Sequence, residues 1–179
     1  MFTKNWYKAL AAEMSRVNDT FQSVTGDTQT LTASYYLYRL NLNEDGRDVP
    51  SIYKVRTTLE SNGGVIFGTG NTPPTIDDTT LSGNLVSGFS YNSNVSAEHG
   101  ADSVTLTALY TVTNNNAEAI TISEVAIIAN LKNTYTQAMF KALLERTVLD
   151  TPVTIPAGGV GQVVYTITFN YPTATTETT

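Results

Sequence analysis

Leu144-Glu-Arg-Thr-Val-Leu-Asp-Thr-Pro-Val-Thr-Ile-Pro-Ala-Gly-Gly-Val-Gly-Gln-Val-Val-Tyr-Thr-Ile-Thr-Phe169 reads as strand, turn, strand. Val148 to Ile155 is rich in β-branched residues, which suit a pleated surface, and Pro152 interrupts it. Pro156-Ala-Gly-Gly-Val-Gly161 supplies a tight, glycine-rich turn. Gln162 to Phe169 then alternates, with Val163, Tyr165, Ile167 and Phe169 on one face and Gln162, Val164, Thr166 and Thr168 on the other. Successive strand side chains point to opposite sides, so the first set is expected on a core and the second near solvent.

The same grammar extends backward along the chain. Val104 to Thr113 alternates apolar residues with Thr and predicts a strand, turned by Asn114-Asn-Asn116 into a further strand over Ile120–Ala129. Val65–Phe67, Leu85–Tyr91 and Pro50–Glu60 read as strands, and Phe21–Tyr38 as two strands broken at Gly26-Asp27. Lys132–Glu145 admits either a short helix or a loop leading into a strand. About eight to ten short strands with turn signals between them favour a mainly β fold, an antiparallel β-sandwich or jelly roll.

One helix is expected, over Asn5–Asn18. Phe2, Trp6, Leu10, Met14 and Val17 recur at three- and four-residue steps and form one apolar stripe. Such a stripe packs either on its own domain or on a neighbouring subunit, and its five residues are the candidate partner-binding set. The expected organisation is an N-terminal helical docking segment (1–20), a β-sandwich domain (21–172) and a flexible polar tail (173–179).

Composition narrows the function classes. The chain has 179 residues, no Cys, one His and a formal net charge of −6. Disulfides, thiolate metal sites and Cys nucleophiles are therefore excluded. Few cations on an acidic chain argue against general nucleic-acid binding. Neither a membrane-spanning run nor a signal-peptide pattern is present in the sequence, so no membrane partner is expected. Charged residues make up only 15 %, and Thr and Asn take their place.

No motif for chemistry emerges. His99, with Glu98 and Asp102 nearby, is a weak metal-site candidate and reads as part of a solvated loop. No Gly-x-Ser-x-Gly elbow marks a nucleophile. Gly68-Thr-Gly70 is followed by Pro73-Pro74, which blocks a phosphate-binding helix start, so it reads as a structural turn. Asp77-Asp78 and Asn43–Asp48 carry oxygen ligands without calcium-loop spacing. Glu124 is the one acid in an apolar strand context and is expected to pair with Arg146 or a backbone donor. Tyr35, Tyr36, Tyr38, Tyr53, Tyr91 and Tyr110 are expected in the core, an interface or a glycan platform. The chain is read as non-enzymatic, with no cofactor.

Three blocks carry a family resemblance: Phe67-Gly-Thr-Gly-Asn-Thr-Pro-Pro-Thr-Ile-Asp-Asp-Thr-Thr-Leu81, Ile120-Thr-Ile-Ser-Glu-Val125, and Leu144 to Gly159 with Val164-Tyr-Thr-Ile167. Together they resemble a pattern in structural proteins of tailed bacteriophages, departing from its commoner Glu-Ile-Gly form at Val125-Ala126. The resemblance implies a virion protein with one β-domain and no catalytic residues: an accessory capsid (decoration or head-fibre) protein or a tail or collar component. It would be made in the host cytoplasm, bind other virion proteins and form a homo-oligomer. The alternative expectation is a carbohydrate-binding module for host-surface glycans. On the docking reading, deleting Met1–Val17 is expected to abolish particle incorporation while leaving a folded β-domain.

Overall fold

In the computed structural model, which describes residues 1–8, 19–31, 40–41, 55–56, 64–132 and 139–171, the alternation over 162–169 becomes one face of a β-sandwich. Ten strands are described: β1 (Asp19–Gln22), β2 (Thr28–Leu31), β3 (Leu40–Asn41), β4 (Val55–Arg56), β5 (Gly64–Gly68), β6 (Phe89–His99), β7 (Ser103–Asn114), β8 (Ile120–Lys132), β9 (Met139–Ile155) and β10 (Val160–Asn170). One sheet has the order β10-β7-β6. A larger one is built on β8, which carries β9 along one side and β5 and β3 along the other, with β4 beyond β5, and β1 and β2 form a separate two-stranded sheet. Pairing is antiparallel except for β4 with β5.

The β10-β7-β6 sheet and the sheet on β8 bury one core between them. Val65 and Phe67 from β5, Ile122 and Val125 from β8 and Ile155 from β9 meet Ala108, Tyr110 and Val112 from β7 and Val163, Tyr165 and Ile167 from β10. Phe67 sits at its centre, tilted against Phe89 at 5.7 Å and edge-on to Tyr110 at 5.6 Å. Truncating so large a buried ring to Ala would cost about 3–5 kcal/mol. The sheet on β8 is covered on its far side too. Ile66, Ala126, Ile128 and Leu143 form a second apolar layer with Val24 from the β1–β2 turn and Leu81 from the 69–85 loop. A strand covered on both faces needs a continuous apolar run, which is why β5 is buried throughout.

The N-terminus is tied to the edge of β9. Residues 4–8 are helical, and residues 1–3 run along the free side of β9. Arg146 N–H donates to the Met1 carbonyl (3.1 Å), and Thr3 N–H to the Leu144 carbonyl (2.9 Å). Thr3 Oγ1 donates to the Leu143 carbonyl (2.6 Å). Asn5 reaches the Gln22 carbonyl (3.0 Å) and Lys4 N–H the Ile76 carbonyl (2.8 Å). The edge of β9 is thereby closed by the chain's own first residues. Removing residues 1–17 would expose that edge, so truncation perturbs the sandwich as well as any docking element.

Several boundaries differ from the sequence reading. β6 begins at Phe89, four residues after Leu85, because Leu85 makes only an isolated bridge to Gly68. Ser96–His99 belongs to β6 and not to a loop; the turn is confined to Gly100–Asp102, where Gly100 N–H bonds the Ser103 carbonyl (2.8 Å). Of Lys132–Glu145, Lys132 ends β8, 133–138 lie outside the described residues, and Met139–Glu145 is already strand, part of β9, which continues through Pro152. Pro is tolerated there because four residues, Leu149–Pro152, bulge opposite Ser123 alone. The tail 173–179 and most of the proposed helix lie outside the described residues.

Candidate functional site

The ionisable side chains of the second layer converge on one buried node. Between Ile122 and Glu124 the β8–β9 register shifts, so Ile122 and Val125 both face the main core while Glu124 faces the opposite side. Ala126 pairs with Arg146 and Glu124 with Val148, which sets Glu124 and Arg146 diagonally on one face. Arg146 Nε donates to Glu124 Oε2 at 2.6 Å, with the two side chains 1 % and 0 % exposed. The guanidinium also donates to Asp78 Oδ2 (2.7 Å), the Thr72 carbonyl (2.7 Å) and Ser82 Oγ (2.5 Å).

Glu124 is satisfied from every side. Oε1 accepts from Gly70 N–H and Gly83 N–H, each at 2.9 Å. Oε2 accepts from Ser82 N–H (3.1 Å) and Ser82 Oγ–H (3.2 Å) besides the arginine. The glycines are required by this approach. A Cβ on Gly70 would lie 1.9 Å from Ser82 Oγ and 2.4 Å from Glu124 Oε1, and one on Gly68 2.5 Å from the same oxygen. Burial alone would push the Glu124 carboxyl up, but the Arg146 bond and the N–H groups of Ser82, Gly83 and Gly70 outweigh it and hold it below the usual range. Asp78 is lowered similarly, against burial, by Thr75 and Arg146. An enclosed carboxylate with every lone pair engaged has no path to a substrate. Its chemistry is architectural: it fastens the 69–83 loop to β8 and β9.

Two of the other buried polar residues, Glu145 and Asn114, tie elements together. Glu145 accepts hydrogen bonds from Tyr165 Oη, Thr147 Oγ1 (2.7 Å) and the Met1 amine. Burial raises its pKa, against the amine and Thr147. Asn114 Nδ2 donates to the carbonyls of Glu118 (2.7 Å), Ile155 (3.0 Å) and Pro156 (3.2 Å), while its Oδ1 accepts from Asn116 N–H (2.9 Å). Asn114 thus joins the β7–β8 turn to the β9–β10 turn. Sequence reasoning found Glu124 and Arg146 but missed Glu145, Asn114 and the purpose of Gly70 and Gly83. The available signal was a Gly-x-Gly and a Ser-Gly flanking one loop, which mark close backbone approach.

The remaining sequence candidates are dispersed. Phe2 stacks on Trp6 (4.9 Å) and Phe169 (5.5 Å) and packs against the main core; Leu10, Met14 and Val17 lie outside the described residues. His99 is exposed at the end of β6. Asp77 pairs with Lys4. Tyr91 and Tyr110 meet edge-on at the core (6.4 Å), while Tyr35, Tyr36, Tyr38, Tyr53 and 43–48 are outside the described residues. Among the described residues no group of three or more metal-ligating side chains occurs, and no helix is long and apolar enough to cross a membrane.

What the fold offers outwardly is surface. A cleft of about 270 Å³ lies between Lys4, Lys8, Gln22 and Asp77, and a shallower groove of about 540 Å³ between Leu85, Val86 and 116–121. A regular polar surface is the outward face of the β10-β7-β6 sheet, where Thr105 and Thr168 share a hydroxyl hydrogen bond (3.3 Å). Comparison of the chain with protein-family models, with curated proteins and with solved structures gave no match.

Proposed function

We propose that this chain is a non-enzymatic structural subunit of a tailed-phage virion, an accessory capsid protein or a tail or collar component, working through protein–protein contacts. The observation that carries the reading is where the resembling residues lie. Gly70 and Asp78 from the first block, Glu124 from the second and Arg146 from the third meet in the buried node. The shared pattern is therefore spent on holding a β-domain together, as a family defined by architecture requires. A polar sheet face and an N-terminal segment that closes a strand edge leave broad surfaces for subunit contacts.

The test is composition of the particle. Virions purified from the source through a density gradient should contain the protein at fixed stoichiometry, and antibody labelling in electron micrographs should decorate one defined location. Shell labelling would assign a capsid role, and vertex or tail labelling a collar or tail role. Absence from gradient-purified particles would sink the proposal, and saturable binding on a glycan array would then favour the carbohydrate-binding alternative.

A further inference from the structure

We infer that the outward face of the β10-β7-β6 sheet is the surface on which a second copy of this chain packs, sheet against sheet. The inference deepens the assembly reading above by naming the surface and its occupant.

The face follows from register. Strands pair over their whole length, so outward residues fall in five rows of three, from Ser90–Thr113–Val160 at one end to Glu98–Thr105–Thr168 at the other. Asn94–Leu109–Val164 is the middle row. Of these fifteen positions only Glu98 is charged; the rest are Thr, Ser, Asn, Gln, Val and Leu. Val160 and Val164 are 62 % and 58 % exposed, and none of the described residues covers them.

The charge pattern selects the occupant. The protein carries −6 overall, so two copies repel through most of their surfaces. This face lets them meet without opposing like charges. The one acid sits at a corner, and either in-plane two-fold axis through Leu109 keeps it from its own image. An axis across the strands sets Glu98 against the Ser90 row of the partner copy, and one along the strands sets it against Thr168 of that copy, both with hydroxyls to donate. A cationic partner gains nothing here, because only one carboxylate faces it. Hydroxyl and amide rows supply hydrogen bonds at the rim, and Leu109 with Val164 supplies an apolar centre.

Area is consistent with a weak-to-standard dimer. Three strands of eleven residues project about 500 Å², and the corrugation of side chains brings the accessible area to roughly 600–800 Å² per copy, the size of a specific interface. Two sandwiches would stack about 10 Å apart, as sheets do within one domain.

Sedimentation velocity and light scattering on the full chain, up to about 100 μM, test this. Wild type should self-associate, and added salt should strengthen the association by screening the repulsion between two copies at −6, since no charges pair across the face. The V160E/V164E variant should raise the dissociation constant by about 100-fold, since a two-fold interface counts each change twice. T166K, at an exposed position on the same face, should weaken assembly in the same direction, and I76E, on another surface, should leave it unchanged. Circular dichroism verifies folding of each. A wild-type monomer at the highest concentration, or self-association indifferent to V160E/V164E and T166K, would overturn the inference. A monomer that still enters particles would defeat this interface alone; a dimer absent from particles would defeat the virion reading alone.

Discussion

Replacing Glu124 with Gln changes one oxygen to an amide nitrogen and should be among the most damaging isosteric changes available. Oε1 faces two backbone N–H donors; Oε2 faces a backbone N–H, a hydroxyl and the Arg146 Nε–H. A glutamine must aim its NH2 at one group or the other, leaving at least two buried donors against a donor. Arg146, 1 % exposed, keeps only Asp78 as a counter-charge. Breaking one side of a buried ion pair costs about 3–5 kcal/mol, and each stranded donor about 1–3. Partial relaxation of the loop offsets some of this, so we expect a loss of about 4–5 kcal/mol. For a domain of this size that is a fall in Tm of about 8–20 °C. Urea unfolding at pH 7 followed by far-UV circular dichroism measures it. The companion double variant E124L/R146M sharpens the test. Where a buried pair stands alone, apolar replacement is often neutral. Here it still strands the N–H groups of Gly70, Ser82 and Gly83, so E124L/R146M should remain at least about 2 kcal/mol below wild type. A loss under about 1 kcal/mol for E124Q, or full recovery in the double variant, would refute the account of a dry, fully engaged carboxylate.

Gly70→Ala should cost about 3 kcal/mol or more because its Cβ would collide with Ser82 and Glu124, whereas Gly26→Ala, at φ +88° with open space around it, should cost only about 1–2; chemical denaturation of the two variants side by side checks the contrast. Asn114→Asp would aim a carboxylate at three carbonyls and should lower stability by about 3 kcal/mol at pH 7, with the loss shrinking as pH falls through the acid's raised folded pKa and its charge penalty gone below the ordinary Asp value of about 4. Stability versus pH should have two opposing contributions in the acid range. Glu124 and Asp78 have depressed folded pKa values, so their contribution is present above the ordinary carboxylate range and lost as pH falls through the folded values. Glu145 is raised, so its contribution is present below its ordinary value and lost as pH rises through the folded one; E145Q should remove that downward slope from a series of urea melts.

The fold was legible wherever strands are covered on one face. Gln162–Phe169 shows the period of two because its outward residues meet water, and the face assigned from sequence is the buried one. Strands covered twice lose that signal. β5 and the middle of β8 read only as apolar runs, so nothing in them announced a second layer. The helix-or-loop ambiguity before Glu145 had the same origin, since Ala142, Leu143 and Leu144 are all buried and a register shift at Leu144 interrupts the alternation. Glu124 stood out because an acid in an apolar run must find a partner. Its loop donors stayed hidden because backbone N–H groups have no sequence identity; only the glycines that admit them do.

The node has a temporal meaning as well. Its bonds join residues 22, 42, 54 and 68 positions apart, so it closes only after β5, β8 and β9 have come together and the 69–83 loop has folded down. Contacts absent from the transition state govern the rate of leaving the native state more than the rate of reaching it. E124Q should therefore show its loss mainly as faster unfolding. What the ion cluster supplies is then a long native lifetime, a latch engaged last.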